Sequence, residues 1–126
     1  MSSFSDAWAH CMHGNGLPVP DVQTLNEALE FLDKVHSAWE NAGGGEELLI
    51  GALIAGGAIV VGEAALVVLG EVAQVAAFAY LGAGILCLAS VAVDDLKGLF
   101  AAGQLPAFVV AQLETNGIDV KSQAPA

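Results

Sequence analysis

The sequence predicts an all-α protein: amphipathic N-terminal helices, an apolar Gly/Ala-rich helical hairpin, and short C-terminal helices. Three observations lead there. Val22, Leu25, Leu29, Leu32, His36 and Trp39 recur at spacings of three and four, the rhythm of one helix face. Leu48 to Val93 carries only two charges, Glu63 and Glu71, over 46 residues. Charged residues make up 13% of the 126-residue chain, against about 25% in ordinary soluble domains. Mean hydropathy is +0.66. The charge distribution divides the chain into a soluble amphipathic region (1–45), an apolar hairpin (46–93), and short amphipathic helices with a loose tail (94–126).

Phe4 to His13 is the first expected helix, ended by Gly14-Asn15-Gly16, and Leu17-Pro18-Val19-Pro20 follows as an extended connector. Asp21 is the expected N-cap of a helix over 21–41. Gly43-Gly44-Gly45 stops that helix and supplies a hinge. Glu46 and Glu47 suit the next helix N-terminus, where the macrodipole is positive. Leu48 to Gly70 makes roughly 34 Å of helix, and Val75 to Val93 roughly 28 Å, against a hydrocarbon core of about 30 Å. The turn between them is expected first at Gly70-Glu71, second at Gly62-Glu63. One long helix in a soluble bundle is the third option. Asp94-Asp95 ends the second apolar run. A helix near Asp95–Ala102, a break at Gly103-Gln104-Leu105, and a helix opened by Pro106 and closed by Asn116-Gly117 complete the chain.

Net charge is −11, with three Lys or Arg residues in all. Such a chain cannot neutralise a phosphate backbone, which excludes nucleic acid as a partner. Two cysteines, one inside an apolar run, exclude a disulfide scaffold and assign Cys87 to packing. The first residues lack a positive n-region and an adjoining apolar h-region, so export by the general pathway is not expected.

The small residues of the centre carry the most information. Gly51 and Ala55, Ala52 and Gly56, and Ala58 and Gly62 are small-xxx-small pairs, and Gly57, Gly70, Gly82 and Gly84 extend the small surface. In lipid, helices associate by close backbone approach, which such residues permit. A glycine costs about 1 kcal/mol in an exposed helix interior, so this density needs a packing reason. The candidate helix-packing set is therefore Gly51, Ala55, Gly56, Gly57, Gly62, Gly70, Gly82 and Gly84. A soluble Ala/Gly-rich core is the competing explanation.

A carboxylate in an apolar run must face a partner, a bundle interior or water. At ~100° per residue, Glu63, Glu71 and Gln74 fall within about 80° on a helix. Copies packed by their glycine faces would ring a water-filled path with carboxylates, which favours cations. Glu63, Glu71 and Gln74 are thus the candidate pore lining; the alternative places both glutamates at the solvated turn of a soluble hairpin.

Other chemistry is poorly supported. His10 and His13 have no second ligand cluster to complete a metal site, so no metal or cofactor is expected. Gly82-Ala83-Gly84 followed by Cys87 misses the dinucleotide fingerprint, and Ser90 lacks a nucleophile elbow. No enzyme is expected. His36 belongs to the core face of its helix, as a packing residue or a pH-responsive one. Trp39 is either an interfacial anchor or a buried one.

Acidic flanks disfavour spontaneous adhesion to anionic lipid. The alternatives are delivery by a partner or a soluble bundle that hides the hairpin under helix 21–41 and the tail, opening around the triple-glycine hinge. Protonating the carboxylates would lower the insertion cost.

With its glycine run Gly51, Gly56, Gly57, Gly62, Gly70, Gly82 and Gly84 behind a soluble N-terminal region, the chain resembles the small glycine-zipper pore-forming antibacterial effectors of type VI secretion systems. The likeness is one of architecture over residues 46–93, about a third of the chain, without a diagnostic motif. It implies a toxin held in the producer cytoplasm and loaded into a secretion-tube ring protein. After contact-dependent secretion it would insert in the target-cell inner membrane, form a cation-conducting homo-oligomeric pore and dissipate the membrane potential. It also implies a cognate immunity protein in the producer. The rivals are a non-toxic membrane accessory, of immunity or holin type, and a soluble helical interaction protein.

Overall fold

The computed structural model describes residues 4–17, 19, 22–44, 49–55 and 75–120. These residues are all-α: α1 (Phe4–Gly14), α2 (Leu25–Asn41), α3 (Ile50–Ala55), α4 (Ala77–Ala101) and α5 (Ala107–Thr115). α4 is the centre of the arrangement: α1, α2 and α5 each pack on it, and α3 packs on α2. One hydrophobic cluster joins Trp8 and Met12 of α1, Leu32 and Val35 of α2, Ile50 of α3, Tyr80, Ile85 and Leu88 of α4, and Val109 and Leu113 of α5. N-terminal, central and C-terminal residues therefore share one core.

The N-cap of α2 is Thr24, three residues after the expected Asp21. The Glu27 amide donates to the Thr24 hydroxyl at 3.1 Å, and the Thr24 amide donates back to the Glu27 carboxylate at 3.2 Å. The Gln23 amide reaches the same carboxylate at 2.7 Å. This reciprocal box satisfies orphan amide donors of the first turn, which a lone Asp side chain does less completely. Asp21 itself lies outside the described residues. The buried stripe of α2 contains the expected Leu29 and Leu32 but extends to Ala28, Phe31 and Val35. The stripe widens because α2 meets more than one neighbour: Phe31 lies edge-on to Tyr80 of α4, and His36 stacks on Phe108 of α5.

Four helices end by the same device, in which the amide just past a left-handed glycine donates back to the carbonyl five residues earlier. Gln104 N–H to Leu99 O and Ile118 N–H to Leu113 O, both 2.9 Å, follow Gly103 and Gly117 at φ 72° and 78°. Leu17 to Met12 and Gly44 to Trp39 repeat the bond, also at 2.9 Å. Only glycine adopts that φ without strain, so each stop was written in the sequence.

The second apolar helix is interrupted close to its expected end: the break falls at Ala92 (φ −145°, ψ 43°), two residues before Asp94. A further helical segment follows to Ala101, where a helix near Asp95–Ala102 is expected; the two segments are described together as α4. The break falls between β-branched Val91 and Val93, which are the poorer helix formers here. It separates the uncharged stretch from a segment in which Asp94 and Asp95 are exposed while Leu96 stays buried.

At its other end α4 is held next to the start of α3. Leu49 and Ala76 form an isolated antiparallel bridge, and the Ile50 amide donates to Val75 O at 2.9 Å. The expected hairpin turns at Gly62-Glu63 and Gly70-Glu71 lie outside the described residues.

Thr24→Ala removes the α2 cap and is expected to lower unfolding free energy by about 1 kcal/mol. Urea denaturation followed by circular dichroism measures it.

Candidate functional site

α4 combines an unusually apolar sequence with a cover supplied by its neighbours. It is the one described helix long and apolar enough to cross a membrane, with an 18-residue window of mean hydropathy 1.8. Within the fold 44% of that window is buried. Ala77, Tyr80, Leu81, Gly84, Ile85 and Leu88 recur at helical spacing and face the core. Phe78, 51% exposed, and Leu86, 38% exposed, lie on the side left open.

α1 is bound to the middle of α4 in three ways. The buried Trp8 indole N–H donates to Gly84 O at 3.2 Å. Met12, fully buried, lies over Gly84. Cys11 and Cys87 form a disulfide with their Cα atoms 5.7 Å apart and a sequence separation of 76. This corrects the assignment of Cys87 to packing: its side chain is buried, but its sulfur is a cross-link. The bond also removes Cys11 from any metal site with His10 and His13, both of which are exposed. Among the described residues, no group of three or more His, Cys, Asp or Glu is placed to hold a metal ion. Closing so long a loop restricts the unfolded chain by an entropy worth about 4–5 kcal/mol.

Gly82 and Gly84 of α4 serve as contact points, whereas a Cβ at Gly98 would meet nothing within 4 Å. A Cβ at Gly84 would sit 3.0 Å from Leu32 Cδ2 and 3.7 Å from Met12 Cε. The bare Cα lets both side chains settle on the helix. A Cβ at Gly82 would meet the Gln112 amide nitrogen of α5 at 3.3 Å. Gly51 is half-buried in α3, where Ala55 is the last residue. Gly56, Gly57, Gly62 and Gly70 lie outside the described residues, as do Glu63, Glu71 and Gln74. Among the described residues of the candidate set, Gly82 and Gly84 pack against the chain's own helices.

An aromatic column closes one end of the bundle. The His36 ring stacks on Phe108, centroids 4.1 Å apart and planes 3° from parallel, and its Nδ1 lies 3.5 Å from a Glu40 carboxylate oxygen. Trp39 continues the column to Phe78 at 6.1 Å. Trp39 is half-buried against α4 in this fold. His36 is half-buried too and packs through its face.

Sequence reasoning missed the Cys11–Cys87 bond and the Trp8–Gly84 contact. An even cysteine count was the only available signal for the first; nothing in the sequence pointed to the second. The described residues thus define an all-α arrangement with one helix long and apolar enough to cross a membrane, less than half of whose apolar window is covered by its own chain. Searches of protein-family models, curated proteins and solved structures found no match.

The two glycines separate in their response to a methyl group. Gly84→Ala presses on Leu32, which has no exposed surface to move into, and is expected to destabilise the fold by about 1–3 kcal/mol. Gly82→Ala meets only the movable end of Gln112 and gains helix propensity, so stability rises by up to about 1 kcal/mol. Thermal and urea unfolding of the two variants read the difference; equal effects would contradict the packing described.

Proposed function

We propose that this chain is a pore-forming toxin stored as a water-soluble bundle, whose apolar segment 48–93 leaves the bundle to enter a membrane. The reading rests on one observation: α4 is apolar and long enough to span a bilayer, and less than half of its apolar window is buried in the fold. A purely internal core helix would be covered on most sides, whereas Phe78 and Leu86 stand open on α4. In the described fold the bridge at Leu49 and Ala76 holds the start of the first apolar run beside the start of α4, whereas a spanning hairpin would put it beside the far end of α4, so insertion has to undo this bridge. In the inserted state the glycine faces would oligomerise the hairpin, and Glu63, Glu71 and Gln74 would line a cation-preferring path.

The architecture suits an antibacterial effector of the type VI class, held in the producer cytoplasm and acting at the target-cell inner membrane. A secretion-tube ring protein would carry it, and an immunity protein would protect the producer. Neither partner is needed for the membrane step, which can be tested alone.

A second reading, a soluble helical interaction protein, draws on the shared core that runs through α4. The two diverge in vesicles. A pore former releases potassium from loaded liposomes, and Glu63→Ala weakens its preference for cations. A soluble interaction protein stays in the aqueous phase, and potassium is retained at every pH and potential. That second outcome would overturn the toxin reading.

A further inference from the structure

We propose that the Cys11–Cys87 disulfide is a latch: while it is closed α4 cannot cross a membrane, and a dithiol reductant releases it. The inference rests on the membrane-insertion step of the pore-forming reading and not on storage in the producer cytoplasm, where a reducing thiol pool would keep the bond open.

The argument is one of depth. Cys87 stands ten residues after Ala77, the first residue of α4, which is about 15 Å along the helix axis. A hydrocarbon core is about 30 Å thick, so a spanning α4 puts Cys87 near the midplane. The bond holds the Cys11 Cα 5.7 Å from that of Cys87. α1 is 11 residues long, about 16 Å. With Cys11 tied at the midplane, most of α1 would have to enter hydrocarbon. That helix carries acidic Asp6 and the exposed His10 and His13, and Asn15 follows it. Ionisable side chains at that depth are strongly disfavoured. An intact bond and a spanning α4 therefore exclude each other.

Once the bond is open, α1 is held to α4 by non-covalent contacts, chiefly the Trp8–Gly84 hydrogen bond and the packing of Met12. These can be exchanged for lipid contacts, and α1 can remain in water. Of the two half-cystines Cys11 is the more open; Cys87 is 2% exposed. A thiolate of the dithiol attacks Cys11 Sγ, the S–S bond breaks, and Cys87 leaves as a thiolate that takes up a proton. The second thiol of the reagent then attacks the mixed disulfide and frees Cys11 as a thiol. The reagent ends as its own disulfide, and the protein has gained two electrons and two protons.

The test uses the full chain and potassium-loaded vesicles of phosphatidylethanolamine and phosphatidylglycerol. Three samples are compared: the oxidised protein, the protein reduced with dithiothreitol, and Cys11→Ser. The reduced protein and Cys11→Ser are expected to release potassium at least about a hundredfold faster than the oxidised protein, the factor a single buried acid imposes. Dithiothreitol should leave the Cys11→Ser rate unchanged. Equal rates from oxidised and reduced protein overturn the latch and leave the pore reading intact. Retention of potassium in all three samples overturns the pore reading, and the latch with it. If circular dichroism shows Cys11→Ser unfolded, titration of the native chain with dithiothreitol replaces it. Release must then rise in step with free thiol, and a flat response overturns the latch.

Discussion

Gly84 is where three helices meet, and the rest of the fold is arranged around that meeting. Its carbonyl receives the Trp8 indole N–H, and Leu32 and Met12 occupy the space a side chain would fill. Hydrogen at the Cα allows α1 and α2 to approach α4 together. Close approach in turn buries Trp8, Met12 and Leu32 completely, and burial of large apolar side chains is the dominant favourable contribution in folding. The disulfide lies three residues further along α4 and fastens the same contact covalently.

This arrangement gives the glycines of α4 a use that does not require lipid. Small residues let helices approach in water as in a bilayer, because the steric argument is the same in both. What differs is the partner. In the described fold Gly84 receives α1 and α2, and Gly82 receives α5. A chain that exchanges these neighbours for copies of itself needs no new surface, only release of the old contacts. The apolar face presented by Phe78 and Leu86 is the portion already uncovered.

If α4 leaves the bundle as proposed, the covalent tie separates the bundled from the spanning arrangement more sharply than packing does. Non-covalent helix contacts can be traded for others of similar strength. A bond from the centre of an apolar helix to an amphipathic one cannot, since it carries the polar residues wherever the apolar ones go. Its position near the middle of α4 gives it this effect; at the helix end the same bond would leave α1 near the interface.

Local structure was largely legible in the residues. The all-α class, the amphipathic run of α2, the glycine stops after Asn15, Ala42, Ala102 and Asn116, and the break before Pro106 follow from periodicity and backbone sterics, which act over a few residues. The Thr24–Glu27 box was legible as well, in its Thr-x-x-Glu spacing, but the nearer-to-proline Asp21 drew the cap. Tertiary structure alone decided the rest. Pairing of Cys11 with Cys87 depends on two helices 76 residues apart converging, and one-dimensional spacing carries no such distance. The same holds for the Trp8–Gly84 bond and for the widened face of α2, which were set by which helices became neighbours. Periodicity tells which side of a helix is apolar; only the folded chain determines what covers it.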